Sequence, residues 1–403
     1  MTIQNIIKFI NTTDYFIIFI LIIITYIFNF YYKHFTRINP IPCPLPLPFI
    51  GNLHNLGYDV AIFYKQCQQK YGDISEAILD RRYIILSRPE YIEKFFDRRI
   101  FFMRPYSQGA DEIGMYGRGT FFNNNYKSWK HNNKFFTDTF ISQRFIDNAI
   151  KSTNELYKEL SNYWQSLGNQ NSSNNSNDNW TLETDFSQWF NRFTNDIVSI
   201  ISTGERTYSI ASYYNTQSLI NNICKNPHVK QKMLSEIDHV LPKSIDKFCV
   251  SYNDLQKLRY CEAIIKEACR LVPVVPFTFR AITKECEIAG YKWPPGTNFL
   301  LNFLAVQVHP EFWPNPEVFN PDRFYNDDQN DKRLGDKSAF MMFGGGKRIC
   351  PGRMLAMVEL LLLMVLVYEN YNVELVNMNE PLKTSSQLST QCKEIRVRIS
   401  LRT

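Results

Sequence analysis

One cysteine of this 403-residue chain lies in a glycine-rich loop near the C-terminus, where residues 343–352 read FGGGKRICPG. Glycine reaches backbone conformations closed to other residues, so such a loop can fold tightly around a ligand. A thiolate at Cys350 is suited to be the single protein ligand of a haem iron, because sulfur pushes electron density onto the metal and favours O–O cleavage. Arg348 stands where it can pair with a haem propionate.

The loop follows the pattern Phe-x-x-Gly-x-Arg-x-Cys-x-Gly, which resembles the haem-binding loop of the cytochrome P-450 family. The resemblance implies that Cys350 is the axial ligand and catalytic centre of haem b, which is iron-protoporphyrin IX. It also implies that Phe343, Gly346 and Arg348 belong to the cofactor site. The alternative interpretation is a buried thiol that follows a glycine-rich turn and only packs.

A carboxylate and two guanidiniums form a second candidate cluster. Glu267 and Arg270 are three residues apart in a helical segment, so they share one face and can pair; by itself this spacing is typical of a surface ion pair. Arg323, in the segment Pro-Asp-Arg-Phe, would supply a second guanidinium to Glu267. These motifs precede the cysteine loop in the order of the cytochrome P-450 family, which implies a structural triad that braces the core beside the haem.

Two further residues resemble the family's propionate contacts. Trp129 lies in a segment similar to the helix whose indole N–H donates to a haem propionate; a buried core tryptophan is the alternative. The family commonly has an arginine four residues later, where this chain has Asn133. Arg280 follows Pro-Phe-Thr-Phe, a segment similar to the strand whose basic residue meets the second propionate.

The N-terminus predicts a membrane anchor. Residues 15–32 read YFIIFILIIITYIFNFYY, a run without charge that is just long enough to cross a bilayer as a helix. Basic residues follow this run, which places the large C-terminal part in the cytoplasm. A cleaved signal peptide is the alternative, although the run is long for one. We expect an anchor over residues 1–38 and a stiff Pro-rich hinge over residues 39–52.

The overall composition is that of a large globular domain with a mildly basic charge. Hydrophobic residues make up 44% of the chain and the net charge is +6, spread along the sequence. This balance does not indicate a nucleic-acid partner. Nine cysteines without a compact framework indicate a reducing compartment. Four basic residues expected near the cysteine loop could steer an acidic electron-donor protein or simply be solvated: Lys130, Lys134, Lys347 and Arg353.

The periodicity of the chain predicts many helices and few, short strands. Residues 74–86 alternate as a hairpin, whereas residues 126–165 and 180–202 have helical patterns. Residues 354–368 predict a nearly all-apolar helix. The Asn/Ser tract at residues 168–179 is too polar to bury and predicts a surface loop. The fold class is therefore mainly α with small β-sheets, and the resemblance implies a cytochrome P-450-like fold.

The central part of the family's fold has no counterpart in this sequence. Trp129 and Glu267 are much closer in sequence than the corresponding residues of the family, whose long central helix carries an acid–alcohol pair that relays protons to iron-bound dioxygen. Residues 203–207, TGERT, are a misleading match, because their setting resembles the end of an earlier helix. We expect a haem-thiolate domain over residues 53–403 with an internal deletion near residues 205–216.

The resemblance implies a monooxygenase-type oxidoreductase that inserts one oxygen atom into a small apolar substrate. Dioxygen would be the oxidant, and electrons would come from NADPH through a reductase. The expected location is the endoplasmic reticulum, with one membrane span. Two alternatives remain open from the sequence. The chain can be a degenerate member that is not catalytic or does not fold, or a haem-thiolate isomerase or dehydratase, whose chemistry needs no relay to dioxygen.

Overall fold

The structure is a computed structural model that describes residues 12–97, 101–171, 180–203, 216–241, 249–325 and 335–402. The helices within these ranges are α1 (Thr12–Phe35), α2 (Val60–Tyr71), α3 (Pro89–Asp97), α4 (Gln108–Glu112), α5 (Tyr126–Ile141), α6 (Gln143–Asn171), α7 (Phe186–Thr203), α8 (Thr216–Lys225), α9 (Pro227–Val240), α10 (Tyr252–Leu255), α11 (Arg259–Leu271), α12 (Phe303–Gln307), α13 (Asp322–Tyr325) and α14 (Arg353–Asn370). As predicted, the fold is mainly helical.

The strands form small sheets. They are β1 (Ile74–Ile78), β2 (Arg82–Leu86), β3 (Thr181–Asp185), β4 (Thr278–Ala281), β5 (Cys286–Ile288), β6 (Tyr291–Trp293), β7 (Asn298–Leu301), β8 (Tyr371–Leu375), β9 (Thr384–Ser386), β10 (Thr390–Cys392) and β11 (Arg396–Leu401). The largest sheet has the order β1-β2-β7-β4, in which β2 and β7 are parallel. A second sheet has the order β3-β11-β8, and two hairpins pair β5 with β6 and β9 with β10.

The larger hydrophobic core lies between α6, α7, α9, α11 and α14. Trp164 of α6 stacks on Phe186 of α7, with ring centroids 5.2 Å apart. α14 is buried from Leu361 to Tyr368, as expected for a helix that is apolar on all sides. A smaller core packs against the four-stranded sheet. The cysteine loop directly precedes α14, and its turn at Gly346–Arg348 packs against α3.

α1 is long and apolar enough to cross a membrane over Asp14–Phe35, a stretch of 22 residues. A bilayer core requires about 20 apolar residues in a helix. The rings of Tyr26 on α1 and Phe49 on the following segment stack with centroids 4.3 Å apart. The segment that follows α1 therefore folds back and contacts this helix through Phe49.

A buried ion cluster fixes the segment after α1 against the four-stranded sheet. The two carboxylate oxygens of Glu76 on β1 lie 2.5 Å from Arg37 Nε and 2.5 Å from Arg82 Nη2. Arg82 also donates to the carbonyls of Ile38 and Asn39, each at 2.7 Å. These contacts tie residues 37–39, directly after α1, to β1 and β2, and loss of one partner would leave an uncompensated buried charge.

The structure confirms two of the predicted patterns and corrects the start of one helix. The hairpin over residues 74–86 is confirmed by the antiparallel pairing of β1 and β2. The helical pattern predicted over residues 126–165 is confirmed by two helices, α5 and α6, which are separated at Ser142, where ψ is 135°. The helix predicted over residues 180–202 begins only at Phe186, because the preceding strand β3 pairs with β11.

Two predicted features lie partly or mainly outside the described residues. The first part of the polar tract at residues 168–179 is helical, because α6 continues to Asn171; residues 172–179 lie outside the described ranges. The predicted deletion near residues 205–216 falls almost entirely outside them as well, since the description stops at Thr203 and resumes at Thr216.

Candidate functional site

The cysteine loop is closed by its own backbone. The N–H of Cys350 donates to the carbonyl of Phe343 at 3.1 Å, and one turn of 3₁₀ helix, Gly346–Arg348, lies between them. Gly344 and Gly346 have φ values of +67° and +61°, a region that only glycine occupies without strain. The loop thereby places Cys350 just before the first turn of α14.

Gly346 has a packing role that the sequence did not indicate. A Cβ atom at this position would lie 2.0 Å from the carbonyl oxygen of Phe96 on α3. Gly346 was predicted to belong to the cofactor site, but it is not among the residues that line the adjoining cavity. Its glycine is required by the close approach of α3 to the loop.

A cavity of about 1200 Å³ adjoins the cysteine loop. It lies among α5, α7, β4 and α14, and much of its wall is apolar, with contributions from Ile197, Phe277, Phe279, Leu360 and Leu363. The structure brings together here most of the residues predicted for the cofactor site, namely Cys350, Arg348, Phe343, Trp129 and Arg280. Asn133 lines the cavity too.

The Cys350 thiol is half-buried and lies just before the first turn of α14. Burial raises its pKa, while a backbone hydrogen bond with Gly352 and the charge of Arg353 oppose that rise. A thiol must lose its proton to become a metal ligand, so metal binding at this sulfur would release a proton.

Three arginines line the cavity without an ionic partner among the described residues. They are Arg104, Arg280 and Arg348. Burial lowers the pKa of Arg280 to about 10. Burial and the nearby charge of Arg280 lower the pKa of Arg348 to about 9. The pKa of Arg104 is also lowered, first by burial and then by the charges of the other two. A negative charge bound among these cations would relieve their repulsion.

Neutral acceptors hold Arg348 and Arg280 in place. Arg348 donates to the carbonyls of Thr120 at 2.6 Å and Asn123 at 2.7 Å. Its guanidinium carbon lies 3.8 Å from the ring centre of Phe102 and 5.1 Å from that of Trp129. Arg280 donates to the carbonyl of the preceding residue at 2.8 Å. These contacts orient the guanidiniums without neutralising them.

Arg104 is the site residue that sequence reasoning missed. Its Nη1 donates to Thr278 Oγ1 at 3.0 Å, its guanidinium carbon lies 3.8 Å from the ring centre of Phe121, and its Nε is buried without a hydrogen-bond partner. It reaches the cavity because Met103 forms a β-bridge with Ala281. No local pattern marks Arg104, since this bridge joins segments that are distant in sequence.

The three residues of the predicted triad contact one another, and their side chains are buried. Arg270 donates to both carboxylate oxygens of Glu267, at 2.7 and 2.9 Å, and Arg323 Nε donates to Glu267 Oε1 at 3.3 Å. The N–H of Asn320 donates to the same oxygen at 2.9 Å. Arg270 also donates to the carbonyl of Gln307 at 2.9 Å. The cluster ties α11 to the chain segments around α12 and α13.

Comparison with known proteins matches the cytochrome P450 family model to residues 41–223 and 214–399. A (+)-vincadifformine 19-hydroxylase from Catharanthus roseus is 38% identical over 181 residues, which are 44% of this chain and 34% of that protein. A 2-hydroxyisoflavanone synthase from Glycyrrhiza uralensis is 34% identical over 184 residues, 45% of this chain and 34% of that protein. Human cytochrome P450 4V2 is 34% identical over 163 residues, 40% of this chain and 30% of that protein.

The chain thus spans about a third of the length of the curated relatives it matches. The family model, in contrast, extends from the segment after α1 to β11. The cysteine loop, the buried triad and the family model agree, and the chain belongs to the cytochrome P450 family.

Proposed function

We propose that this chain binds iron-protoporphyrin IX through Cys350 and is a haem-thiolate oxidoreductase of the monooxygenase type. One observation carries the proposal: a cysteine sulfur and three arginines without ionic partners line the same largely apolar cavity. Haem presents one metal atom, an apolar ring and two carboxylates. The cavity offers a thiol, apolar walls and cations for these three features, so the residues present fit the group.

The chain's own residues would hold and shield the cofactor. Arg104, Arg280, Arg348 and the indole of Trp129 would bind the propionates, because charge-assisted hydrogen bonds from arginine are the strongest available to carboxylates. Phe343, whose carbonyl holds the N–H of Cys350, would orient the sulfur. Bound haem would supply dioxygen activation. The protein would exclude water and surround the ring with apolar side chains. This environment would tune the electronic properties of the metal.

We extend the proposal to substrate and electron donor. The aromatic and aliphatic lining favours a small apolar substrate, and the hydroxylase and oxygenase names of two relatives support an oxygen-inserting reaction. Electrons would come from NADPH through a reductase. Lys347 lies 5.4 Å over the ring of Tyr126, so the cysteine loop and α5 are adjacent. Their exposed Lys130, Lys134 and Lys347 would attract an acidic donor.

The domain organisation is likewise a proposal. Residues 1–38 would anchor the protein as a single span in the endoplasmic reticulum, and residues 39–52 would be the hinge. Residues 53–403 would form the cytoplasmic haem-thiolate domain. The length of α1 and the buried cluster around Glu76 support this arrangement, because a fixed junction would hold the domain at one orientation to the membrane.

An internal deletion near residues 205–216 is the part of the proposal that bears on activity. It is supported by the two separate matches to the family model, which overlap over residues 214–223. Loss of the central helix would favour the alternative of a degenerate, non-catalytic member. A haem-thiolate isomerase or dehydratase is the other alternative, and turnover of a hydroperoxide without added reductant would distinguish it.

The first test is the carbon monoxide difference spectrum of the full chain in membranes, reduced with dithionite. A strongly red-shifted Soret band, characteristic of thiolate ligation, is the expected result. If the apoprotein is present and no such band forms, the haem-binding proposal is wrong.

Arg104→Met gives a second test, because it should act in opposite directions on the two forms of the protein. The change removes one of three repelling cations, so we expect the melting temperature of the apoprotein to stay the same or rise. With haem bound, it removes a charge-assisted contact, and transfer of haem to excess apomyoglobin should be about 10- to 100-fold faster.

Arg81→Met is the matched control for Arg104→Met. Arg81 also lines the cavity, but it is paired with Asp80 at 2.7 Å and its side chain is 35% exposed. Its replacement should leave haem transfer unchanged. Equal effects of the two substitutions would show that Arg104 has no specific role toward the propionates.

A further inference from the structure

Three side chains that the proposed function does not use come together where α1 meets the four-stranded sheet. They are His34 in the last turn of α1, Cys43 in the Pro-rich segment and Glu76 on β1. Each offers one ligand atom, and these atoms lie within 4.8 Å of one another. His34 is 6% and Glu76 is 0% exposed, while Cys43 is half-buried. Imidazole, thiolate and carboxylate are the side-chain groups that bind transition metals in proteins.

The nitrogen and the sulfur of this cluster are spaced to share one ion. The Sγ atom of Cys43 lies 3.9 Å from Nε2 of His34. Metal–sulfur and metal–nitrogen bonds of about 2.3 and 2.0 Å reach about 4.3 Å when laid end to end. An ion therefore fits between the two atoms in a bent arrangement, without movement of either side chain. Nδ1 of the same buried ring has no hydrogen-bond partner among the described residues.

Arg37 holds the chain in the shape that brings these two ligands together. Its guanidinium donates to the carbonyl of His34, and its Nη2 lies 3.6 Å from Sγ of Cys43. A cation beside the sulfur stabilises the thiolate form. The carboxylate of Glu76 is itself held by Arg37 and Arg82. Glu76 is therefore a supporting group within reach of the ion, and the imidazole and the sulfur are the principal ligands.

The charges of the cluster favour a monovalent ion. Arg37 and Arg82 carry two positive charges against the one negative charge of Glu76. Burial, and after it the charge of Glu76, raises the pKa of Cys43 to about 11, so a bound metal must displace the thiol proton. Binding of Cu(I) with loss of that proton leaves the net charge unchanged, whereas Zn²⁺ would add a positive charge beside two guanidiniums. Thiolate ligands also suit Cu(I).

We propose that His34 and Cys43 form a Cu(I) site at the junction between α1 and the four-stranded sheet. Neither residue lines the cavity at Cys350, so this site goes beyond the proposed function and does not depend on haem. Binding forms a Cu–S and a Cu–N bond, breaks the S–H bond of Cys43 and releases its proton to solvent, and no electron is transferred. The ion would cross-link the last turn of α1 to the Pro-rich segment that follows it.

Protection of Cys43 from alkylation tests the site beside the other cysteines of the chain. The full chain in lipid nanodiscs is treated with N-ethylmaleimide without oxygen, free Cu(I) is fixed by a bicinchoninate buffer, and each cysteine is followed by peptide mass spectrometry. We expect Cu(I) to slow alkylation of Cys43 by about 10-fold or more, because the free thiolate is the nucleophile. Alkylation of the exposed Cys249 should be unchanged. Equal protection of both thiols would overturn the proposal.

His34→Gln and its matched control His54→Gln test the second ligand. His54 is an exposed histidine of the segment between α1 and α2. Loss of a group that only supports a metal ligand already costs about 10- to 100-fold in affinity. His34→Gln should therefore raise the free Cu(I) needed to protect Cys43 by at least that factor, whereas His54→Gln should not change it. The same requirement in both variants would show that His34 is not a ligand.

X-ray absorption at the copper edge of the unmodified chain needs no variant to fold. We expect the edge of Cu(I), with one sulfur and at least one nitrogen bound to the ion. Two or more sulfurs for each copper would place the ion elsewhere, because Cys43 is the single cysteine of this cluster. Zn²⁺ at the same free concentration tests the charge argument, and protection of Cys43 by Zn²⁺ as strong as that by Cu(I) would overturn it.

This proposal and the haem-binding proposal fail separately. Cys43→Ser should abolish the copper site and keep the red-shifted carbon monoxide band, because the two cysteines belong to different sites. If the unmodified chain lacks that band, haem binding is refuted, while protection of Cys43 by Cu(I) is still expected. If the band forms and Cu(I) does not protect Cys43, the copper site is refuted and haem binding stands.

Discussion

Cys350→Ser should abolish the red-shifted carbon monoxide band completely. Serine keeps the size of the side chain but replaces the sulfur that gives a haem-thiolate centre its spectrum. The loop itself should survive, because its closing bond from the N–H of residue 350 to the carbonyl of Phe343 uses only backbone atoms. Haem content at equal protein concentration and the difference spectrum are the two measurements.

Haem retention should also fall in Cys350→Ser, by about 100-fold or more. Changes in residues that only support a metal ligand already cost about 10- to 100-fold in affinity, and here the ligand itself is lost. Cys249→Ser is the matched control, because Cys249 is an exposed thiol outside the cavity. If Cys350→Ser keeps the band while Cys249→Ser loses it, the assignment of the axial ligand is wrong.

Four of the predicted residues belong to local motifs, namely Arg348, Cys350, Glu267 and Arg270. Cys350 and Arg348 are two residues apart in a glycine-rich loop, so their joint presence at the cavity follows from one turn of chain. Glu267 and Arg270 are on one helical face for the same reason. The assembly of Arg323 with them was predictable only through the family order of motifs, because it joins α11 to a distant segment.

Arg104 and Glu359 were not predicted, because their settings depend on tertiary contacts. The bridge from Met103 to Ala281 brings Arg104 beside Arg280, and neither segment carries a sign of the other. Glu359 interrupts an apolar helix, a position that periodicity alone assigns to a buried or a solvated face with equal ease. Glu359 lines the cavity, and its buried Oε1 has no hydrogen-bond partner among the described residues. This setting arises only from the packing of α6 against α14.

The misplaced start of α7 and the break between α5 and α6 have the same physical origin. Residues 181–185 were included in a predicted helix, but pairing with β11 makes them a strand. The helical pattern across Ser142 is continuous in type, yet the chain turns there so that α6 can pack on α14. Long-range packing overrides local propensity in both cases.

Glu267→Ala should destabilise the protein by about 3–5 kcal/mol, because it leaves two buried guanidiniums without a counter-ion. The side chains of Glu267 and Arg270 are 0% exposed and that of Arg323 is 3% exposed, so water cannot replace the lost carboxylate. Burial and the charge of Arg270 already lower the pKa of Arg323, and Glu267 offsets that effect. Urea unfolding of the apoprotein in detergent measures the change.

Glu262→Ala is the control for this measurement, because it lies on the same helix and also pairs with a cation. Its partner Lys266 is 2.8 Å away, but both side chains are partly exposed, 43% and 33%. Exposed pairs of this kind contribute about 0.3–0.5 kcal/mol. The difference between the two variants isolates burial as the cause. A loss below about 1 kcal/mol in Glu267→Ala would mean that the arginine–carbonyl contacts suffice to hold α11 in place.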